Sequence, residues 1–207
     1  MEEKLKHFKK VDPILYQLAI KFKLDNFDKP QDPFIDLVDS IISQQLSNKA
    51  AATIFGRFKK LFPEEKITPE KLIKISDEKI RGAGISFSKI SYIKGIAKEI
   101  VNKSLDLNKM ESLSDEEVIM EMIKLKGIGL WTAEMFLMFT LARPDIFSTG
   151  DLGLQNAVAR HYKIEGKPTK EKLIEISSKW SPYRSLASRI LWKSLDNEPI
   201  ILKSPKD

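Results

Sequence analysis

The stretch LKGIGLWTAEMFL, Leu125 to Leu137, sets a Gly-Ile-Gly turn directly before a segment that runs on apolar through Met138, Phe139 and Leu141. Two glycines two residues apart permit a tight turn and a close approach to the backbone. A helix ending at Leu125-Lys126, the turn, and a helix starting near Leu130 make a helix-hairpin-helix pattern. The apolar content of the second helix predicts that it is buried.

Outward from the hairpin, the same helical grammar repeats. Asp12-Pro13, Asp32-Pro33 and Thr68-Pro69 each put a capping side chain before a proline suited to a first helical turn. Ser114 with Glu117 three residues on has the form of a capping box. Phe34, Leu37, Val38, Ile41, Ile42 and Leu46, and later Val118, Ile119, Met122 and Ile123, fall at helical spacing. No two-residue alternation between hairpin turns suggests a sheet. The reading is an all-α protein of about eight to ten helices joined by short loops. Two lobes are expected: residues 1–32 packing with a C-terminal lobe of 130–207, beside a middle lobe of 33–129 that ends in the hairpin. Within the chain, Asn102 to Met110 is the best candidate for a lobe boundary.

The 207 residues carry 35 basic and 29 acidic side chains, a formal net charge of +6 and a pI near 9.3, which favours polyanionic partners without naming one. Cysteine is absent, which excludes disulfides, zinc-thiolate sites and cysteine-ligated iron–sulfur clusters. The N-terminal MEEKLKHFKK lacks the apolar core of a signal peptide, and no apolar run reaches the roughly 20 residues that cross a bilayer. An intracellular chain without a membrane partner is therefore expected. The two histidines, His7 and His161, have no partner at metal-ligand spacing and read as surface residues.

Two features could carry chemistry. In the hairpin, turn N–H groups and the first N–H groups of the next helix point outward and would suit a phosphate, with Lys124 and Lys126 alongside. The same two glycines also serve a plain turn between core helices. Downstream, FSTGDLGLQNAV (Phe147 to Val158) puts Asp151 in a polar turn that opens another helix, 22 residues after Gly129. Alone, Asp151 reads better as an ordinary N-cap, worth about 1 kcal/mol, than as a catalytic group.

Taken together, LKGIGLWTAEMFLMFTLARPDIFSTGDLG resembles the signature of the helix-hairpin-helix DNA glycosylases. FIDLVDSIISQQLSNKAAATIFGRF upstream is similar to the helix preceding the hairpin in that superfamily. KWSPYRSLASRILW downstream resembles its alkylation-repair branch, the 3-methyladenine type II glycosylases, in the compact form without an extra N-terminal domain. The three motifs span about Phe34 to Trp192 in the expected order. The fold implied is two helical lobes flanking a DNA-binding cleft.

The resemblance implies roles residue by residue. Asp151 matches the catalytic aspartate, whose ionised carboxylate stabilises an oxocarbenium-like transition state and handles the attacking water. Trp131 stands where lyase members place a nucleophilic lysine, which implies a monofunctional enzyme that leaves an abasic site. Trp131 and Trp192 match aromatics of a base pocket suited to cationic N3- or N7-alkylated purines. Met135 departs from relatives with a further aromatic there, which widens the question of substrate range. Gly127, Gly129, Lys126 and Thr132 are implied to bind DNA backbone. Gln45 matches the wedge that fills the gap left by a flipped base, and Gln44 is either a neighbouring DNA contact or a support for the turn.

Main-chain carbonyls of Leu125 and Ile128 are implied to hold a structural monovalent cation, Na+ or K+. No cofactor is required. Arg184, Arg189 and Lys193 either contact phosphate or pair with carboxylates such as Glu175. The implied partner is double-stranded DNA carrying damaged bases. A monomer is expected, in the cytoplasm or on the nucleoid, or in a nucleus. Two other readings stay open: a glycosylase for an oxidised, deaminated or mismatched base, and a non-catalytic module that binds bent or damaged DNA.

Overall fold

A computed structural model describes residues 1–22, 24 and 32–196. Its α-helices are, in chain order, α1 Glu2–Val11, α2 Pro13–Lys21, α3 Pro33–Ser43, α4 Asn48–Lys59, α5 Pro69–Lys74, α6 Asp77–Gly82, α7 Phe87–Val101 and α8 Asp115–Ile123. They are followed by α9 Leu130–Met135, α10 Leu152–His161, α11 Lys170–Ser178 and α12 Arg184–Asp196. No strand occurs among the described residues, so the all-α reading holds. The described residues hold twelve α-helices, more than the expected eight to ten; several are short, α5 and α6 among them, each of six residues with its own cap at Thr68 and Ser76. No helix of the described residues is long and apolar enough to cross a membrane.

The predicted starts are real helix starts. The Asp12 carboxylate accepts the Leu15 N–H at 3.0 Å, and Asp32 accepts those of Phe34 and Ile35 at 2.9 and 3.2 Å. Thr68 caps α5, and Ser114 and Glu117 satisfy each other's main-chain N–H groups as a capping box. Each bond occupies one of the donors that a helix N-terminus leaves unpaired.

The chain forms two compact units: Met1–Asp28 with Arg143–Asp207, and Lys29–Ala142. Sequence reading placed a lobe division after Gly129, whereas α9 packs on α8, and its continuation on α3, inside the second unit. The candidate boundary at Asn102 to Met110 also lies within that unit. Residues 197–207 of the expected C-terminal lobe lie outside the described residues.

In the first unit, Phe8, Leu15, Leu154, Val158, Leu173, Ala187 and Leu191 build a core around Trp180. Asp12 is buried there with three donors. Besides the Leu15 N–H, the Trp180 indole N–H donates to its Oδ2 at 2.8 Å and the Tyr162 hydroxyl at 2.6 Å. Burial, then Asp12, pushes the Tyr162 hydroxyl far above its ordinary range, so it remains a donor. Sequence reading took Asp12 only as a cap and did not single out Trp180.

Removing that carboxylate would strand two buried donors, at about 1–3 kcal/mol each, besides the lost cap. Asp12→Ala is therefore expected to destabilise the first unit by about 3 kcal/mol or more. Denaturant unfolding followed by tryptophan fluorescence checks this, and a loss below about 1 kcal/mol would show that the network is not a stabilising one.

In the second unit, α3 buries Phe34, Leu37, Val38, Ile41 and Ile42, the side chains whose spacing predicted it. Beyond its last turn the chain runs through Gln44 and Gln45 to the Ser47 cap of α4.

Candidate active site

The hairpin sits in the second unit. The Ile128 N–H donates to the Leu125 carbonyl at 3.1 Å and closes the turn between α8 and α9. The two glycines do different work. Gly127 has φ +92°, a left-handed conformation, and a Cβ there would overlap the Tyr92 ring. Gly129 is the N-cap of α9 with φ −98°, and a Cβ there would meet nothing within 4 Å. Gly127 is thus required by the protein itself, while Gly129 leaves the approach to the start of α9 open. Tyr92, 35 residues upstream, gives no local signal of this contact.

Lys126 and Gly129 are exposed, and Trp131 is 43 % exposed. Thr132 is buried. Its hydroxyl accepts the Gln44 side-chain N–H at 3.3 Å, and the same Gln44 nitrogen donates to the Gly127 carbonyl at 3.2 Å. Gln44 therefore braces the hairpin from α3. Gln45 beside it is exposed, with φ +59°. The cation ligands named above, the carbonyls of Leu125 and Ile128, are hard oxygen donors of the type Na+ or K+ takes. The Leu125 oxygen already accepts one N–H, and a carbonyl oxygen carries two lone pairs.

The buried helix expected after the hairpin departs from α geometry. After Met135 it widens into a π turn over Phe136–Thr140. Such turns re-aim side chains and recur at functional sites. Met135, Phe136 and Phe139 line a pocket of about 280 Å³ with Asp36, Asp39 and Ser43 of α3. Burial raises the Asp36 carboxyl above the usual range, against a hydrogen bond from Thr140 and with repulsion from Asp32 and Asp39. Burial likewise raises Asp39, opposed by the Ser43 hydroxyl at 3.1 Å. The two acids were not singled out from the sequence, where they look like the polar face of an amphipathic helix.

Asp151 and Trp192 lie in the first unit. Asp151 caps α10 and is 9 % exposed. Its Oδ1 accepts the Leu154 main-chain N–H at 2.7 Å and the Trp192 indole N–H at 2.9 Å. A Cβ on Gly153 would stand 3.0 Å from Trp192 Cδ1 and Nε1 and 3.1 Å from Asp151 Oδ1. Glycine at 153 thus gives the indole room to reach the carboxylate over the first turn of α10. Gln155 steadies the turn from the other side, its side-chain N–H donating to the Thr149 carbonyl at 2.8 Å. An N-cap needs none of this; the indole adds a second donor to the carboxylate oxygen that caps the helix.

Other expectations fall differently. Arg184 pairs with Asp145, not Glu175: its Nε and Nη2 donate to the two carboxylate oxygens at 2.8 and 3.0 Å. Burial alone would raise the Asp145 carboxyl, but Arg184 and the Ser181 hydroxyl hold it below its ordinary range. Glu175 pairs with Lys172 across one turn of α11. His161 is half-buried rather than on the surface, with its Nε2 2.7 Å from the Ser194 hydroxyl. No group of three or more metal-type side chains comes together among the described residues.

Residues 38–182 match the family described as HhH-GPD superfamily base excision DNA repair protein. YfjP of Bacillus subtilis, which bears the name of a DNA-3-methyladenine glycosylase, is 35 % identical over 166 residues; these are 77 % of this chain and 58 % of YfjP. The chain thus spans somewhat over half the length of that relative. A DNA-3-methyladenine glycosidase from Bacillus halodurans superposes with a TM-score of 0.81 at 37 % identity, over 94 % of this chain and 89 % of that one. The 3-methyladenine DNA glycosylase Mag1 of Schizosaccharomyces pombe, solved in complex with abasic DNA, superposes with a TM-score of 0.83 at 31 % identity, over 94 % and 97 %.

Proposed function

Because the chain belongs to the HhH-GPD superfamily of base excision DNA repair proteins, we propose that it is a monofunctional DNA glycosylase. It hydrolyses the N-glycosidic bond of alkylated purines, of the 3-methyladenine and 7-methylguanine type, and leaves an abasic site. The observation that carries this reading is Asp151, with its Oδ1 fixed by the Leu154 N–H and the Trp192 indole N–H. A carboxylate held in one orientation would stabilise the positive charge that develops on the sugar as the bond breaks, at no cost of reorganisation at that moment.

The other roles follow the family pattern. The exposed start of α9 with Gly129 and Lys126 grips a DNA phosphate, and Gln45 fills the gap left by the extruded nucleotide. Trp131 and Met135 are proposed for the base, the exposed indole offering its face to a cationic ring. Trp131 is not an amine, so no Schiff base forms there and the strand stays intact. A monovalent cation, if held by the Leu125 and Ile128 carbonyls, would stiffen the hairpin. The partner is damaged double-stranded DNA, met by a monomer inside the cell, in the cytoplasm or at the nucleoid or nucleus.

Incubation with methylated duplex DNA tests the reading. The expected result is free 3-methyladenine, with strand breaks appearing only after alkali. Breaks without alkali would overturn the monofunctional assignment. Tight binding with no base released from any alkylated duplex would overturn the substrate class.

A further inference from the structure

The turn that presents Gln45 is strained and tied from elsewhere. Gln45 follows the C-cap of α3 in the left-handed region, a position where glycine is favoured and any other residue is strained. Glycine would relieve the strain but offer no side chain. The carbonyls around it, orphaned by the helix end, need donors. The ammonium of Lys89, near the start of α7, supplies them: it donates to the Ile42 carbonyl at 2.8 Å and to the Gln44 carbonyl at 2.7 Å. Farther along the turn, the Leu46 N–H donates to the Ser43 carbonyl at 3.1 Å.

Lys89 is half-buried, and desolvation lowers its pKa from the ordinary lysine value. A lysine in a basic protein would ordinarily leave its charge in solvent or on a phosphate. Here the cation is directed at two main-chain oxygens that flank one residue. Gln44 shares in the arrangement, because its carbonyl takes Lys89 while its side chain reaches the Gly127 carbonyl and Thr132 of the hairpin. The turn and the hairpin are thus held in one frame.

We propose that Lys89 is a positioning residue, which locks the strained turn so that Gln45 enters the DNA at a fixed height relative to the hairpin, and that it is not a phosphate contact. This rests on the glycosylase reading, in which Gln45 is the wedge.

The test is a double-mutant cycle of Lys89→Met and Gln45→Ala in the full chain, measured as affinity for a duplex holding an abasic analogue and for the undamaged duplex over a range of salt. Lys89→Met is expected to lower the preference for the damaged duplex about ten-fold, with undamaged binding and its salt slope unchanged. In the Gln45→Ala background it should lower the preference no further, and Lys89→Arg should restore most of it. Amide exchange of Leu46 should quicken in Lys89→Met whatever the DNA does, since that N–H lies in the released turn.

An equal loss on both duplexes with a salt slope smaller by about one would make Lys89 a phosphate contact and overturn the proposal. Losses that add to those of Gln45→Ala, or no loss, would also overturn it. If Lys89→Met fails to fold, Lys89→Gln is judged by the same readouts. A wild-type protein without preference for the damaged duplex would instead sink the glycosylase reading on which the proposal stands.

Discussion

Asp151→Asn is expected to slow single-turnover release of 3-methyladenine about a thousand-fold, ~4 kcal/mol of barrier, while leaving the fold and DNA binding intact. The substitution is informative because of what Asp151 does structurally. Its Oδ1 accepts both the Leu154 N–H and the Trp192 indole N–H. An asparagine carbonyl oxygen can accept the same two bonds, and asparagine caps helices about as well as aspartate. Stability should therefore move by less than about 1 kcal/mol. What disappears is the negative charge, which is proposed to stabilise the developing oxocarbenium. Affinity for an abasic-analogue duplex should hold or rise, since the variant keeps the cap and adds no bulk. Unchanged base release in Asp151→Asn would leave Asp151 as a plain N-cap and move the search for the catalytic group elsewhere.

How much of this was legible beforehand follows from the range of each interaction. Asp12, Asp32, Thr68 and Ser114 were readable as helix starts because an N-cap bonds to residues two or three positions on. The apolar face of α3 was readable because helical period and burial coincide in one segment. The contacts that hold these pieces together within each unit are long in sequence. Trp192 meets Asp151 across 41 positions, Gln44 meets Gly127 across 83, and Trp180 meets Asp12 across 168. Nothing local announces them.

The place of Asp151 came from a family pattern, and its indole partner from the fold. Trp192 illustrates the difference. By the family resemblance it was an aromatic face for a cationic base, yet its N–H edge is engaged with the carboxylate. Gly153 carries no local signal of its part; only the indole beside it shows what a methyl group there would displace. The π turn was equally hidden, because Phe136–Thr140 has the composition of any buried α-helix.

Gly127→Ala and Gly129→Ala are expected to separate the two duties of the hairpin. At Gly127 a Cβ must be accommodated at φ +92° and inside the space of the Tyr92 ring. Left-handed strain costs an alanine about 1–2 kcal/mol, and forcing a packed ring aside about 1–3 more. A loss near 3 kcal/mol is expected, visible in the denaturation midpoint and, through the displaced turn, in lost DNA binding. At Gly129 the backbone is one that alanine adopts freely, and the new methyl group meets no protein atom. Folding should be unaffected or gain a few tenths of a kcal/mol, because alanine has less unfolded-state freedom to lose. Its methyl group would nonetheless stand at the open start of α9, where the phosphate is proposed to approach. Affinity for duplex DNA should fall about ten-fold with stability unchanged. If Gly129→Ala binds DNA as well as wild type, the phosphate does not approach over Gly129, and the grip on DNA must lie with Lys126 and the Gln45 turn.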